Sequence, residues 1–293
     1  MELIRTVADL RARLDPERAA GKQVGMVGTS GGMHRGHQSL VRRSVEENDI
    51  TAMYWGGAPA DLTSWSTSST FAYERDASHD WPLAEEAGCD ILFAPPAEVL
   101  FPRAPATTVT LPSFSMAASG GDGAQLEDPA HLDLIALAMC KLWNMFGPCR
   151  NYFGAKDWQQ LVMFIRLAED LEYPVEVVGA PTIREDDGVA VSSRNSQLTP
   201  EQRAVAPVLY RALGAARDAA LGGTTKSTAV EEVFTDTVGS AAAIQYFAVV
   251  DGPTMTPLDE LAGSVRILAS IALGDTRLLD NIGIELPATR SGT

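Results

Sequence analysis

The segment from Val24 to His37 constrains the fold of this chain more than any other. A short apolar run there predicts a buried strand, a glycine-rich turn follows, and His34 and His37 flank Gly36. From Gln38 to Asn48, apolar residues recur at roughly helical spacing. A strand, a glycine turn and a helix present backbone N–H groups and the positive end of the helix to a phosphate. The segment matches neither a P-loop nor a dinucleotide fingerprint. Its distinctive feature is therefore H-x-G-H, whose glycine lets the chain pack closely against a ligand.

Length and charge exclude several classes of function. The chain has 293 residues, enough for one large or two medium domains, and a net charge of −15 from 23 basic and 38 acidic residues. Nucleic acids and anionic membranes are bound mainly through clustered lysine and arginine, so this excess of acid argues against both partners.

Neither the cysteines nor the N-terminal residues indicate export or a metal site. Cys89, Cys140 and Cys149 lack C-x-x-C spacing, so no disulfide framework or zinc site is indicated, and we expect no protein-bound metal. The first residues do not place a basic flank before an apolar core, as a signal peptide would. No uninterrupted apolar run approaches the length of about eighteen residues that spans a membrane. We therefore expect a cytoplasmic protein.

Predicted strands alternate with predicted helices as far as Gly179. The strands are expected at residues 24–27, 50–55, 90–94, 107–111, 151–153 and 174–179. The helices are expected at residues 6–18, 37–48, 73–87, 132–146 and 159–171. This alternation implies an α/β fold with a Rossmann-like, doubly wound parallel sheet that binds ligands at the carboxyl ends of its strands. Residues 62–70 predict a loop, and residues 113–130 predict a flexible flap over the site.

The C-terminal part of the chain has a different pattern. Thr199 predicts a helix N-cap, Pro200 the first turn, and an alanine-rich helix continues to about Leu221. The remaining elements are expected to be a helix over 230–237 and paired strands over 245–251 and 265–273. We therefore expect residues 1–182 to form a nucleotide-binding domain and residues 183–293 a smaller α+β lid domain.

Two further motifs follow the histidine pair. One runs from Phe153 to Gln160 and reads FGAKDWQQ, and the other runs from Asp187 to Asn195 and reads DGVAVSSRN. With the histidine pair, they make the chain resemble the pantothenate synthetases, the pantoate–β-alanine ligases of the H-x-G-H nucleotidyltransferase superfamily. The similarity extends over residues 1–285 and includes the segment from Leu273 to Asn281. Three ordered motifs at the family's spacing are more specific than any one of them.

The resemblance implies an activity. Such an enzyme uses ATP, with Mg²⁺ bridging phosphate oxygens, to convert a carboxylic acid into an acyl-adenylate with release of pyrophosphate. An amine then attacks the acyl carbon, giving an amide and AMP. Attack on the α-phosphate needs stabilisation of charge more than proton transfer, and fixed cations and N–H donors supply it. The expected partners are a small carboxylic acid and an amine, and the enzyme is expected to be a homodimer.

The same resemblance assigns roles to individual residues. The residues expected to bind the phosphates and act in catalysis are His34, His37, Lys156, Ser192, Ser193 and Arg194. The remaining ATP-binding residues are expected to be Thr29, Gly36, Gly154, Asp157 and Ile183, with Gly154 and Asp157 at the ribose and Ile183 at the adenine. The residues expected to form the acid pocket are Gly28, Ser30, Asp61, His131 and Gln160.

The acid pocket departs from the family's pattern. The family's Pro-Thr-Met-Gly reads Gly-Thr-Ser-Gly from Gly28 onward, and its Asn-Pro-x-Gln-Phe aligns with residues 58–62, which puts Asp61 in place of the glutamine. A carboxylate there repels an acid unless the acid carries its own cation or hydroxyl donors lie nearby, or unless Asp61 is protonated. His131 is either the histidine of the family's flap motif or a residue at the start of a helix. Gln160 keeps the family's amide.

These departures predict an ATP-dependent amide ligase with an altered acid pocket, and an amino acid or other ammonium-bearing acid is the first candidate substrate. The alternative is an authentic pantothenate synthetase that joins pantoate to β-alanine. A nucleotidyltransferase fits less well, because Lys156 and residues 192–194 match the ligases and the acid-rich flap offers no basic patch to a phosphorylated acceptor. A non-catalytic nucleotide-binding protein conflicts with the retention of both histidines, Lys156 and Arg194.

Overall fold

A computed structural model describes residues 1–56, 75–103, 105–111, 119–120, 124–125 and 129–287. The chain divides into a first unit, Met1–Leu111, Glu127–Ala155 and Met163–Ile183, and a second unit, Pro112–Leu126, Lys156–Val162 and Arg184–Thr293. Among the described residues, Lys156–Val162 fall in the second unit together with the C-terminal residues from Arg184. Asp61, the loop over 62–70 and most of the 113–130 flap lie outside the described residues.

The described residues form helices and strands that are numbered here in chain order. The strands are β1 Glu2–Ile4, β2 Val24–Thr29, β3 Ile50–Trp55, β4 Ile91–Phe93, β5 Ser119–Gly120, β6 Ala124–Gln125, β7 Cys149–Gly154, β8 Val175–Ala180, β9 Ala243–Asp251, β10 Ser264–Leu273 and β11 Thr276–Glu285. The α-helices are α1 Val7–Ala19, α2 Arg35–Glu47, α3 Ala77–Glu86, α4 Ala97–Leu100, α5 Pro129–Phe146, α6 Trp158–Asp170, α7 Pro200–Val205, α8 Val208–Leu221 and α9 Ser227–Val238. Short 3₁₀ turns occupy Ala155–Asp157 and Ser193–Gln197.

The first unit is built on a six-stranded sheet in the order β1-β4-β3-β2-β7-β8, and every strand pair in it is parallel. The chain moves outward from β2 through β3 to β4 and then returns to the other side of β2 at β7. In doubly wound sheets, ligands bind at the carboxyl ends of the strands where the order reverses in this way. Those ends are Thr29 of β2 and Gly154 of β7. The predicted α/β fold is therefore confirmed.

The interior of this sheet is apolar on both faces, as parallel strands require. Val27, Met53 and Tyr152 come from three neighbouring strands and pack in one cluster with Val41 of α2. The buried polar residue Asn151 is accommodated by two hydrogen bonds: its Oδ1 accepts from Trp143 Nε1 at 2.9 Å, and its Nδ2 donates to the Met26 carbonyl at 3.0 Å.

The second unit contains a three-stranded antiparallel sheet in the order β11-β10-β9. Alternate residues of β10 from Val265 to Ile271 share one core with Leu213 of α8 and Phe234 of α9. Because side chains alternate across a strand, the other residues of β10 point to the opposite face of the sheet. The predicted α+β character of this region is confirmed.

Local signals located most of the helices and strands. Thr199 is the predicted N-cap: its Oγ1 accepts from Gln202 N–H, while Gln202 Oε1 accepts from Thr199 N–H at 2.9 Å. The alanine-rich helix predicted to run to Leu221 is interrupted, however. It ends at Val205 and resumes at Val208, because Pro207 has no N–H to donate to the preceding turn.

Two strand predictions need correction. Residues 107–111 alternate in sequence, but they are not in a strand and most of them are exposed. β11 was not predicted, although it is ten residues long and pairs with β10 along its whole length. Its sequence mixes buried apolar residues with buried Asp280 and Asn281, so it lacks a simple alternation.

Candidate active site

His34 and His37 lie at the start of α2. His34 is the N-cap residue, and its Nδ1 accepts a hydrogen bond from the Gly36 N–H at 3.1 Å. His37 lies in the first turn, and its Nδ1 accepts from the His34 N–H at 3.3 Å. The ring centroids are 4.1 Å apart. The two imidazoles therefore satisfy N–H groups that a helix start leaves without intrahelical partners.

These hydrogen bonds fix the tautomer of each neutral ring. A ring nitrogen that accepts from a backbone N–H carries no proton, so the proton of each neutral imidazole is on Nε2. Thr29 is consistent with this arrangement: its Oγ1 donates to the Gly31 carbonyl at 3.2 Å and lies 3.4 Å from His37 Nε2. Both rings can therefore offer an Nε2–H to phosphate oxygens beside the positive end of α2.

Gly36 is required by the ring of His34. A Cβ at residue 36 would lie 2.8 Å from His34 Cε1 and 2.9 Å from His34 Nδ1, closer than non-bonded atoms approach. From the sequence, this glycine is expected to allow close approach of a ligand. The structure adds a second reason, which is room for the imidazole itself.

Asp80 of α3 holds the turn that precedes the histidines, and sequence reasoning missed it. Its carboxylate is 1% exposed and accepts hydrogen bonds from the N–H groups of Gly32 (3.1 Å) and Met33 (2.8 Å) and from Trp55 Nε1 (2.8 Å). Burial acts to raise the pKa of Asp80, but the hydrogen bonds from Trp55, His79 and Met33 outweigh it, so this pKa lies below its usual value. Asp80 is therefore an ionised anchor for the glycine turn.

The other predicted residues of the first unit lie at or after strand ends, except for one. Gly28 lies in β2 and Gly154 ends β7, and an added Cβ at either glycine would meet open space. Ser30 follows β2 and is half-buried, as is Ile183 after β8. His131 is fully buried in the first turn of α5.

In the second unit, Lys156 and Asp157 lie in the 3₁₀ turn that leads into α6, with Gln160 half-buried in the first turn of that helix. The Lys156 carbonyl accepts from Asn281 Nδ2 at 2.7 Å, and Lys156 Nζ lies 3.5 Å from Asp157 Oδ1. Trp158 Nε1 donates to the Gly252 carbonyl at 3.0 Å. These contacts hold the turn against β11 and the loop after β9.

Arg266 strengthens this attachment. Its guanidinium carbon lies 3.4 Å from the centre of the Trp158 ring, which indicates a stacked cation–π contact. Burial lowers the pKa of Arg266 to about 10. The side chain still carries its charge at neutral pH, so the contact persists under physiological conditions.

A groove of the second unit brings together three of the residues predicted to bind phosphate. Lys156, Ser192 and Arg194 line it, together with Arg277, to which the sequence analysis gave no role. Ser192 Oγ accepts from the Arg194 N–H at 3.3 Å and so caps the 3₁₀ turn that carries Arg194. Ser193 is half-buried in the same turn but does not line the groove.

Asp280 also lines this groove, and Arg184 pairs with it. Arg184 donates from its two terminal nitrogens to the two Asp280 oxygens at 2.5 and 3.0 Å, and Asp280 has a side chain only 2% exposed. The guanidinium of Arg184 also lies 3.9 Å from the centre of the Tyr210 ring. The charge of Asp280 is therefore compensated within the unit.

Replacing Asp280 with asparagine should lower the free energy of unfolding by about 3 kcal/mol, because it leaves the Arg184 cation without its bidentate partner. Urea denaturation measures this loss. The matched control is Asp187→Asn, since Asp187 pairs with Arg203 at 2.6 Å but both side chains are at least 35% exposed. That change should lower the stability by less than about 1 kcal/mol. Equal losses in the two variants would contradict a special contribution of the buried pair.

Some classes of site are absent from the part of the chain that is described. No group of three or more His, Cys, Asp or Glu residues there could hold a metal ion. In the same residues, no helix combines the length and apolar character needed to cross a bilayer.

The arrangement defines a class of protein: an α/β nucleotide-binding protein with a histidine-capped helix start in one unit and a cation-lined groove in the other. The family model described as pantoate-beta-alanine ligase matches residues 2–283. The chain therefore belongs to the pantoate–β-alanine ligase family, and it is an AMP-forming ligase that uses ATP and Mg²⁺.

Individual relatives agree over nearly the whole length. Pantothenate synthetase 1 of Frankia alni is 44% identical over 289 residues, which cover 96% of this chain and 97% of the relative. Pantothenate synthetase of Moorella thermoacetica is 36% identical, with 98% and 99% covered. A crystal structure of pantothenate synthetase from Thermus thermophilus matches with a TM-score of 0.84 and 37% identity, over 96% of this chain and 99% of that one.

A more distant structure shows the fold alone. The pantoate-beta-alanine ligase from Francisella tularensis, solved in complex with beta-gamma ATP and beta-alanine, matches with a TM-score of 0.73 at 23% identity and covers 96% of this chain.

Proposed function

We propose that this chain joins pantoate to β-alanine using ATP, through a pantoyl-adenylate intermediate. The observation that carries the proposal is the family match over residues 2–283, with retention of His34, His37, Lys156 and Arg194. The protein contributes differently to each of the two chemical steps. The first needs stabilisation of phosphate charge, and the second needs the adenylate held for attack.

In the first step, a carboxylate oxygen of pantoate attacks the α-phosphorus, a new O–P bond forms, and the bond to the β-phosphate oxygen breaks to release pyrophosphate. His34 and His37 would donate Nε2–H to phosphate oxygens, and Lys156 and Arg194 would neutralise charge on the departing pyrophosphate. Removing water from such fixed donors makes each of them more effective. Mg²⁺, as the resemblance implies, would supply further neutralisation of the phosphate charge.

In the second step, the amine nitrogen of β-alanine attacks the acyl carbon, the bond to the AMP oxygen breaks, and the nitrogen loses a proton. Gly154 and Asp157 would contact the ribose and the Ile183 backbone the adenine, as the resemblance implies. Open space at the position of a Gly154 Cβ supports close approach of a ligand there. Gln160 would contact pantoate.

The idea of an altered acid substrate gains no support from the relatives, whose names are those of pantothenate synthetases over full length. Of the changed residues, Gly28 lies in β2 and Ser30 follows it, and neither introduces a charge. A Cβ at Gly28 would meet open space. We therefore assign pantoate as the acid, with Asp61 outside the described residues.

The test is a rate measurement with purified protein. AMP and pyrophosphate should form in equal amounts only when ATP, pantoate and β-alanine are all present, and pantothenate should accumulate at the same rate. A panel of amino acids and hydroxy acids replaces pantoate in parallel reactions. Turnover with amino acids and none with pantoate would overturn the assignment. ATP binding without any acid-dependent pyrophosphate release would indicate a non-catalytic protein.

We also propose that the enzyme is a homodimer, as the family resemblance implies. Light scattering on the eluting peak of a sizing column measures the mass directly, and a mass near the 31.3 kDa of one chain would contradict it.

A further inference from the structure

Arg277 stands at the start of β11 and is fixed there by two groups of the same sheet. Its Nε donates to Ser270 Oγ at 3.0 Å, and its guanidinium carbon lies 5.3 Å from the centre of the Tyr246 ring. Ser270 is fully buried and pairs directly with Tyr246 across β10 and β9. A guanidinium held through Nε has its plane defined, which prepares its outer edge for bidentate contact with an anion.

The face of β11 that carries Arg277 also carries Asn281, which holds Lys156 in place. Arg277 and Asn281 are four positions apart in one strand, so their side chains leave the sheet on one side. Asn281 Nδ2 donates to the Lys156 carbonyl, and Arg277 lines the groove with Lys156. One strand thus carries both the support for the lysine and a second cation beside it.

The charge balance of the groove favours an anion. Three cations line it, namely Lys156, Arg194 and Arg277. Of the described residues that line the groove, Asp280 alone is acidic, and Arg184 already neutralises it through two hydrogen bonds. A surplus of fixed positive charge in a concave surface raises the local concentration of polyanions. It is the more notable in a chain whose net charge is −15.

We propose that Arg277 binds the β- and γ-phosphates of ATP, and so also the pyrophosphate product, as a third cation beside Lys156 and Arg194. The inference deepens the proposed function and rests on it. AMP lacks the β- and γ-phosphates. A residue that contacts only these phosphates therefore contributes to the binding of ATP and pyrophosphate but not to the binding of AMP.

The experiment measures binding of inorganic pyrophosphate and of AMP by isothermal titration calorimetry, with Mg²⁺ present, to the wild-type chain and to Arg277→Gln. Loss of a charge-assisted contact should weaken pyrophosphate binding about 10- to 100-fold. AMP binding should change less than about twofold, because AMP lacks the terminal phosphates. In the full reaction, KM for ATP should rise and inhibition by added pyrophosphate should weaken in parallel.

Three further variants separate a binding role from a structural one. Arg277→Lys keeps the charge but loses the planar fork, so its pyrophosphate affinity should lie between those of the wild type and Arg277→Gln. Ser270→Ala removes the anchor and keeps the arginine, so it should weaken pyrophosphate binding more modestly and leave AMP binding unchanged. Arg217→Gln is the matched control, because Arg217 pairs with its exposed neighbour Asp218 and does not line the groove, and it should alter neither affinity.

Two results would overturn the inference. One is equal pyrophosphate affinity in the wild type and Arg277→Gln, and the other is a parallel loss of AMP and pyrophosphate binding in Arg277→Gln and Ser270→Ala. Failure of the proposed function looks different, because the wild-type chain itself would then bind neither ATP nor pyrophosphate, or would release no pyrophosphate with pantoate.

Discussion

Replacing Lys156 with methionine should lower kcat for AMP formation about 10²–10³-fold, the usual loss when one preorganised donor to a developing charge is removed. Lys156 lines the groove with Arg194 and Arg277, and its Nζ lies 3.5 Å from Asp157 Oδ1, a weak contact. The fold should tolerate the change, because Asn281 holds residue 156 through its backbone carbonyl, which methionine retains. Steady-state release of AMP and pyrophosphate under saturating ATP, pantoate and β-alanine measures the effect.

The matched control for this substitution is Lys226→Met. Lys226 pairs with Glu260, and both side chains are more than half exposed. That variant should keep its kcat within about twofold and lose less than about 1 kcal/mol of stability. A Lys156→Met enzyme with wild-type kcat would remove Lys156 from the chemistry. If Lys156→Met is unfolded to an extent that accounts for its lost activity, the role of the lysine is structural instead.

The sequence predicted the features that depend on neighbours along the chain. The strand from Ile50 to Trp55 was predicted with its observed bounds, and the N-cap at Thr199 was identified from its own residue type. The helix after the glycine turn was expected from His37, but it begins two residues earlier, at Arg35, with His34 as its N-cap. The capping contacts at these helix starts join residues three positions apart, so spacing alone carries the information. The strand is visible in its own apolar run, although its hydrogen bonds go to strands distant in sequence.

Features that depend on distant partners were missed. Asp80 lies 48 positions from Gly32, whose N–H it accepts, and nothing in the sequence near Asp80 indicates that partner. Asn281 and Lys156 are separated by 125 positions. β11 escaped prediction for a related reason. Its polar residues Asp280 and Asn281 can be buried because Asp280 accepts hydrogen bonds from Arg184 and Asn281 donates one to the Lys156 carbonyl. These two polar residues interrupt the alternation of apolar residues by which a strand is recognised in sequence.

The second large effect expected is that of Gly36→Ala. A methyl group at this position would approach His34 Cε1 and Nδ1 within 2.9 Å, so the imidazole must turn away from it. His34 would then lose the hydrogen bond from the residue 36 N–H that orients its ring. A displacement of about 1 Å in a group that contacts the reacting atoms can lower the rate about 10²-fold. We therefore expect kcat for adenylate formation to fall by about that factor.

The stability of Gly36→Ala should stay close to that of the wild type although its activity falls, and two other glycines serve as comparisons. Alanine is favoured over glycine inside a helix by about 1 kcal/mol, which offsets the local rearrangement at residue 36. Gly214→Ala in α8 meets no atom within 4 Å, so it should raise stability and leave kcat unchanged. Gly25→Ala would place its methyl 1.9 Å from Ser44 Oγ, so it should destabilise the fold. Gly25 lies near the start of β2 and not at its histidine end, so the folded fraction should keep its activity.

If Gly36→Ala behaved like Gly214→Ala in both assays, the orientation of His34 would have no part in catalysis. If it behaved like Gly25→Ala, the glycine would be needed for folding alone, whereas a low kcat in a stable protein is the result that the His34 contact predicts.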